Sequence, residues 1–108
     1  MRVQITARRC EIPDALRART EAVVQKLSKY DARVSAAEIV FEEERHNKKA
    51  EGVLSVDRDE AVVASAEAAD FPAALDQLVD RLAKILRRRR SQVVDHQARP
   101  LAEELAGE

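Results

Sequence analysis

Four consecutive arginines at positions 87–90 are the densest chemistry in this sequence. Arg81 and Lys84 precede them. At about 100° per residue, Arg81, Lys84, Arg87 and Arg88 share one side of a helix, and Arg89 turns toward the opposite side. A guanidinium presents a planar fork that can donate two hydrogen bonds to one phosphate, and a basic run at a helix C-terminus is equally the ordinary solvated end that favours the helix dipole. A second basic group, Arg19, Lys26 and Lys29, falls on one flank of an earlier helical stretch. The other reactive side chains offer less. His46 and His96 have no ligand spacing to thiols or carboxylates, so a metal site is not expected. Cys10 has no evident base and reads as a small hydrophobe. No paired-carboxylate site or phosphate loop is present. The chemistry on offer is binding rather than catalysis, and no cofactor or small-molecule substrate is expected.

The elements that must carry these residues follow from periodicity. The 108 residues suffice for one domain with one core, and with 3% aromatics and no tryptophan that core is aliphatic. Val3, Ile5 and Ala7 alternate with polar neighbours, the period of a half-buried strand. Pro13 and Asp14 mark a helix start, and Leu16, Thr20, Val23, Val24, Leu27 and Tyr30 form its buried stripe, with an end near Tyr30. Ala37, Ile39 and Phe41 predict a second strand, and Arg45 to Lys49 a polar turn. Gly52, Leu54 and Val56 predict a third strand, and Val62, Ala64 and Ala66 a fourth. Short turns make strands two to four an antiparallel meander.

A long helix follows. Asp70 and Pro72 are its start signals, and Phe71, Leu75, Leu78, Val79, Leu82, Ile85 and Leu86 are its apolar stripe. Arg89 lies on the stripe's own azimuth. An unpaired guanidinium is rarely buried, so packing is expected to stop near Leu86. The expected fold is α+β, a β-α-β-β-β-α two-layer sandwich with both helices on the apolar face of a four-stranded sheet. Residues 1–90 form the domain. Residues 91–108 extend the helix for a turn or two and end in a flexible acidic tail.

Net charge is −1, with 36% charged residues, so the charge balance alone does not announce nucleic acid. The positive charge is segregated instead. A lone cysteine fits a reducing, cytoplasmic compartment. No run is long and apolar enough to span a bilayer, no signal peptide is visible, and no membrane partner is expected.

Three stretches carry a family resemblance. VQITARRCEIPDALRA at 3–18, KLSKY at 26–30 and ASAEAADFPAALDQLVDRLAKIL at 64–86 resemble the ribosome hibernation promoting factor family, also called ribosome-associated inhibitor A or sigma-54 modulation protein. The resemblance covers about residues 1–90 and implies the same β-α-β-β-β-α order. It also implies a function by occupancy. One domain binds the small ribosomal subunit and its rRNA in the channel between head and body, over the messenger and transfer RNA positions, and idle ribosomes stop translating. By resemblance, Lys26, Arg81, Lys84, Arg88 and Arg90 fall where the family has basic residues facing rRNA. Arg87 and Arg89 extend that run here, and Lys29, on the basic flank of the first helix, is a further candidate for RNA contact. The chain departs from the pattern at Pro72, where the family often has tyrosine, and in the acidic run Glu42, Glu43 and Glu44. It resembles a short form or an N-terminal domain. A generic double-stranded RNA binder is an alternative, but helix two starts at Asp70 with no lysine cluster. A protein-interaction module using the sheet or the tail is another.

Overall fold

The computed structural model describes the backbone of residues 1–105 and the side chains of residues 1–89. The order is β1 (Arg2–Arg8), α1 (Asp14–Gln25), a 3-10 turn (Lys26–Lys29), β2 (Val34–Glu44), β3 (Asn47–Val56), β4 (Val62–Ala68) and α2 (Phe71–Leu105). The sheet order is β1-β2-β3-β4. As expected, β2, β3 and β4 form an antiparallel meander, and β1 completes a mixed sheet by pairing parallel to β2. A parallel neighbour needs a crossover connection, which α1 supplies.

Alternation decides which face is covered. Val3, Ile5, Ala37, Ile39, Phe41, Ala50, Leu54, Val62 and Ala66 point to the helices and join one core with Leu16, Val24 and Leu27 of the first helical segment. On α2, Leu75, Leu78, Leu82 and Leu86 are fully buried. Ala74 and Ala83 are buried too, whereas Val79 and Ile85, expected on the buried stripe, are half-buried. Small side chains on the α2 flanks let the helix lie close to its neighbours.

Gly52 shows how close that approach is. A Cβ there would sit 3.0 Å from Leu82 Cδ1, 3.2 Å from Ile39 Cδ1 and 3.4 Å from Leu78 Cδ1. Alanine needs a small shift of flexible side-chain ends, whereas valine adds two methyls with no space. Gly52→Val is expected to destabilise by about 3 kcal/mol and Gly52→Ala by about 1 kcal/mol or less, read by urea unfolding of the two variants beside the wild type.

Both ends of the connections have local causes. The Asp70 carboxylate accepts from the Ala73 N–H at 2.8 Å, capping α2 as expected. Phe71 then packs edge-on to Phe41, with centroids 5.4 Å apart, and anchors the helix start on β2. The first helix tightens to 3-10 geometry at Lys26, where the Ser28 hydroxyl donates to the Gln25 carbonyl at 2.9 Å. The β2–β3 turn is shorter than expected. Only Arg45 and His46 form it, with Arg45 at φ 48°. Lys48 and Lys49 are inside β3, opposite Glu43 and Glu42, and Lys48 Nζ lies 2.8 Å from Glu43. These cross-strand charge pairs extend the ladder to Asn47. Lys49 Nζ also reaches Glu44 at 4.0 Å, so two of the three glutamates of this run are answered by β3 lysines.

At the other end, the backbone of α2 continues past the turn or two expected beyond Arg90, to Leu105. Residues 106–108 of the expected tail lie outside the described residues. Among the described residues, no helix is long and apolar enough to cross a membrane.

Candidate nucleic-acid interface

The basic residues singled out from sequence sit on three sides of α2 and on the neighbouring 3-10 turn. The 3-10 turn carries Lys26 and Lys29, with Tyr30 directly after. The α2 row Asp76, Asp80, Ala83 and Arg87 faces that turn, at helical spacing. Between them runs an open groove of 320 Å³. Tyr30 is its centre: Lys29 Nζ lies 5.3 Å and Arg87 Cζ 5.5 Å from the ring centroid. Both distances suit cation–π attraction.

The carboxylates beside this groove are already engaged. Asp76 accepts from Arg19 at 2.7 Å, and Asp80 lies 3.1 Å from Lys84 one turn along the helix. Among the described residues, neither Lys26, Lys29 nor Arg87 has a carboxylate within ion-pair distance, and Arg88 has none either. Lys26, Lys29 and Arg87 border the groove, and Arg88 and Lys84 lie exposed on the adjoining outer side of α2.

Arg81 and Arg89 are placed differently. Arg81 reaches the other flank of α2 and donates to the Ser65 carbonyl on edge strand β4. Arg89 bends toward the β3–β4 connection. Its Nη1 donates to the Glu60 carbonyl at 2.6 Å, its Nη2 to the Ala61 carbonyl at 3.4 Å, and Asp59 lies 3.8 Å away. Packing thus runs one turn beyond Leu86, because Arg89 arrives on the buried azimuth with its partners supplied. The side chain of Arg90 lies outside the described residues.

Asp59 links Arg89 to a second arginine. Arg33 lies 3.5 Å from Asp59, and its Nη2 and Nε donate to Asp31 at 2.9 and 3.1 Å. Asp31 is only 1% exposed and also accepts from the Arg33 backbone N–H at 3.0 Å. These bonds raise the Arg33 guanidinium above its ordinary pKa, against the opposing effect of desolvation. The chain Asp31, Arg33, Asp59, Arg89 ties the start of β2, the β3–β4 turn and α2 together. Asp31 and Arg33 do not stand out in the sequence, although an aspartate just past a helix end is a turn signal, its side chain able to accept from the backbone N–H two residues on.

Arg89 is accordingly expected to behave unlike its neighbours. Arg89→Ala should lower stability by about 1–2 kcal/mol, from the loss of charged hydrogen bonds to carbonyls, with thermal unfolding as the readout. Arg88→Ala should leave the unfolding temperature unchanged within about a degree.

Elsewhere the structure offers little chemistry. Cys10 packs against the core, with its Sγ 3.6 Å from the Phe41 carbonyl. Among the described residues, no three histidine, cysteine or carboxylate groups are placed to hold a metal ion.

Comparison with known proteins agrees with this architecture. The family model for sigma 54 modulation protein / S30EA ribosomal protein matches residues 3–94. The ribosome hibernation promoting factor of Escherichia coli K12 is 33% identical over 96 residues, spanning 89% of this chain and 100% of the relative. The Azotobacter vinelandii ribosome hibernation promoting factor is 31% identical over 97 residues, 90% of each chain. The crystal structure of the Thermus thermophilus Protein Y N-terminal domain superposes with a TM-score of 0.74 at 29% identity, covering 82% of this chain and 98% of the other.

Proposed function

Because the chain belongs to the sigma 54 modulation protein / S30EA ribosomal protein family, we propose that it binds the small ribosomal subunit in the channel that messenger and transfer RNA use, and holds idle ribosomes inactive. The observation that carries this reading is the positive surface of Lys26, Lys29, Lys84, Arg87 and Arg88. Four of these five cations have no carboxylate partner among the described residues. Folded rRNA presents phosphates on irregular walls, and such walls are read mainly by shape and phosphate contact. A rigid helical layer with unpaired cations on two neighbouring elements supplies that. Arg81 adds a further cation on the opposite flank of α2, and Arg89 serves by tying α2 to the β3–β4 connection. No bond is made or broken; the effect comes from occupying the space.

Co-sedimentation with separated bacterial subunits, together with cell-free translation, tests the proposal. Saturable binding to the small subunit is expected, with affinity falling steeply as salt rises because each phosphate contact releases counterions. Inhibition of translation should follow occupancy. Binding to neither subunit at moderate salt, with translation unaffected, would overturn it. The competing reading, protein contact through the open sheet face, has one supporting feature in Val63, a large apolar side chain that is 57% exposed. Under that reading Val63→Glu, and not the loss of arginines, would abolish partner binding.

A further inference from the structure

The groove between the 3-10 turn and α2 has features that a plain phosphate-binding surface does not need. It is concave, and its 320 Å³ lies within the range of about 300–1,000 Å³ that holds small ligands. Its floor is apolar, from Val79 and Ala83. Its wall is the ring of Tyr30, which is half-buried, and among the described residues the Tyr30 hydroxyl has no hydrogen-bond partner. Its rim is Lys26, Lys29 and Arg87, none of them ion-paired among the described residues. An apolar slot with one aromatic wall and cations at the mouth matches one chemical unit: a flat base attached to a phosphate.

We propose that this groove takes a single unpaired nucleotide of the bound RNA, its base against the Tyr30 ring and its flanking phosphates on Lys26, Lys29 and Arg87. This deepens the RNA reading above and rests on it. Lys29 and Arg87 now rest over the ring, and their long stems let both heads swing onto phosphates as a base enters. Base–aromatic stacking tolerates any base, since every base has a π-face. A duplex keeps its bases inside and cannot supply this unit.

Tyr30 is the only tyrosine, and the chain has no tryptophan. A chain carrying 3-fluorotyrosine therefore gives one fluorine resonance that reports on this groove. Titration with single-stranded oligoadenylate of ten nucleotides is expected to shift it saturably. An abasic ten-mer of equal charge, or poly-glutamate, should shift it much less, through displacement of the two cations alone. No shift with oligoadenylate would overturn the proposal. So would an equal shift with the abasic strand, meaning charge alone, or with poly-glutamate, meaning an acidic protein partner.

On small subunits, Tyr30→Leu should weaken binding about tenfold, leave the salt slope unchanged, and be rescued by Tyr30→Phe. If the wild type fails to bind subunits, the proposed function fails while the oligoadenylate shift still decides the groove. If the wild type binds and Tyr30→Leu binds equally well, only the groove assignment falls.

Discussion

Replacing Lys26, Arg87 and Arg88 together by alanine is expected to weaken binding to the small ribosomal subunit by about 10²–10³-fold near 0.15 M salt. That figure takes about 1–1.5 kcal/mol for each cation removed from a phosphate. The dependence of log affinity on log salt should also become shallower by about two to three units, each phosphate neutralised contributing about 0.7–0.9. Stability should hardly change, because none of the three has an ion-pair partner among the described residues; the Arg87 contact to Tyr30 is partly exposed and contributes about 0.5–1 kcal/mol. A control separates contact from overall charge. Arg2, Arg8 and Lys49 lie in the outward-facing rows of the sheet, opposite Ala36, Glu42 and Glu67. Alanine at those three removes the same net charge from the other face. Affinity should fall by less than about threefold, through long-range attraction only. Equal losses from the two triple variants would mean that the helical layer is not the contact surface.

Leu82→Ala should cost about 2–5 kcal/mol of folding stability. Leu82 is fully buried, and its Cδ1 is the atom that stands nearest the missing side chain of Gly52. The truncated site therefore has bare backbone on one side, and little can move in to fill the gap. A domain of this size has roughly 5–15 kcal/mol in total, so this one change removes a large fraction. Denaturant unfolding should show a lower midpoint with an unchanged slope. The same geometry predicts non-additivity. Gly52→Ala, mildly destabilising in the wild type, should restore about 0.5–1 kcal/mol in the Leu82→Ala background, because the new methyl enters the vacated space. If the two changes simply add, α2 does not sit on Gly52 as described.

How far the sequence reaches can be judged from particular residues. The four strands and both helices are legible because one face of each is buried, and alternation or the helical stripe records that burial directly. Asp70 is legible as a cap because its role is local. Gly52 reads as an ordinary strand residue, since the reason for it lies in α2, some thirty residues away. Lys48 and Lys49 read as turn residues because a charge run resembles a turn until its cross-strand partners Glu43 and Glu42 are known. Arg89 reads like its neighbours for the same reason. Its azimuth marks it as different, but only the β3–β4 connection explains why a guanidinium there is tolerated. Asp31 gives a turn signal, yet its burial depends on Arg33, which in turn depends on Asp59. The groove around Tyr30 is divided in the sequence between a buried stripe and a basic flank, and only the fold brings the two together.

If the chain occupies the messenger and transfer RNA channel, as proposed, it must compete with both of those ligands for the small subunit. The most direct measurement is the affinity of fluorescently labelled chain for small subunits, empty or preloaded with messenger and a transfer RNA in the peptidyl position. Mutual exclusion is expected: tight binding to empty subunits, and an apparent affinity at least about tenfold weaker on preloaded ones, restored as the transfer RNA is allowed to dissociate. Equal affinity for empty and loaded subunits, with both ligands retained, would contradict channel occupancy.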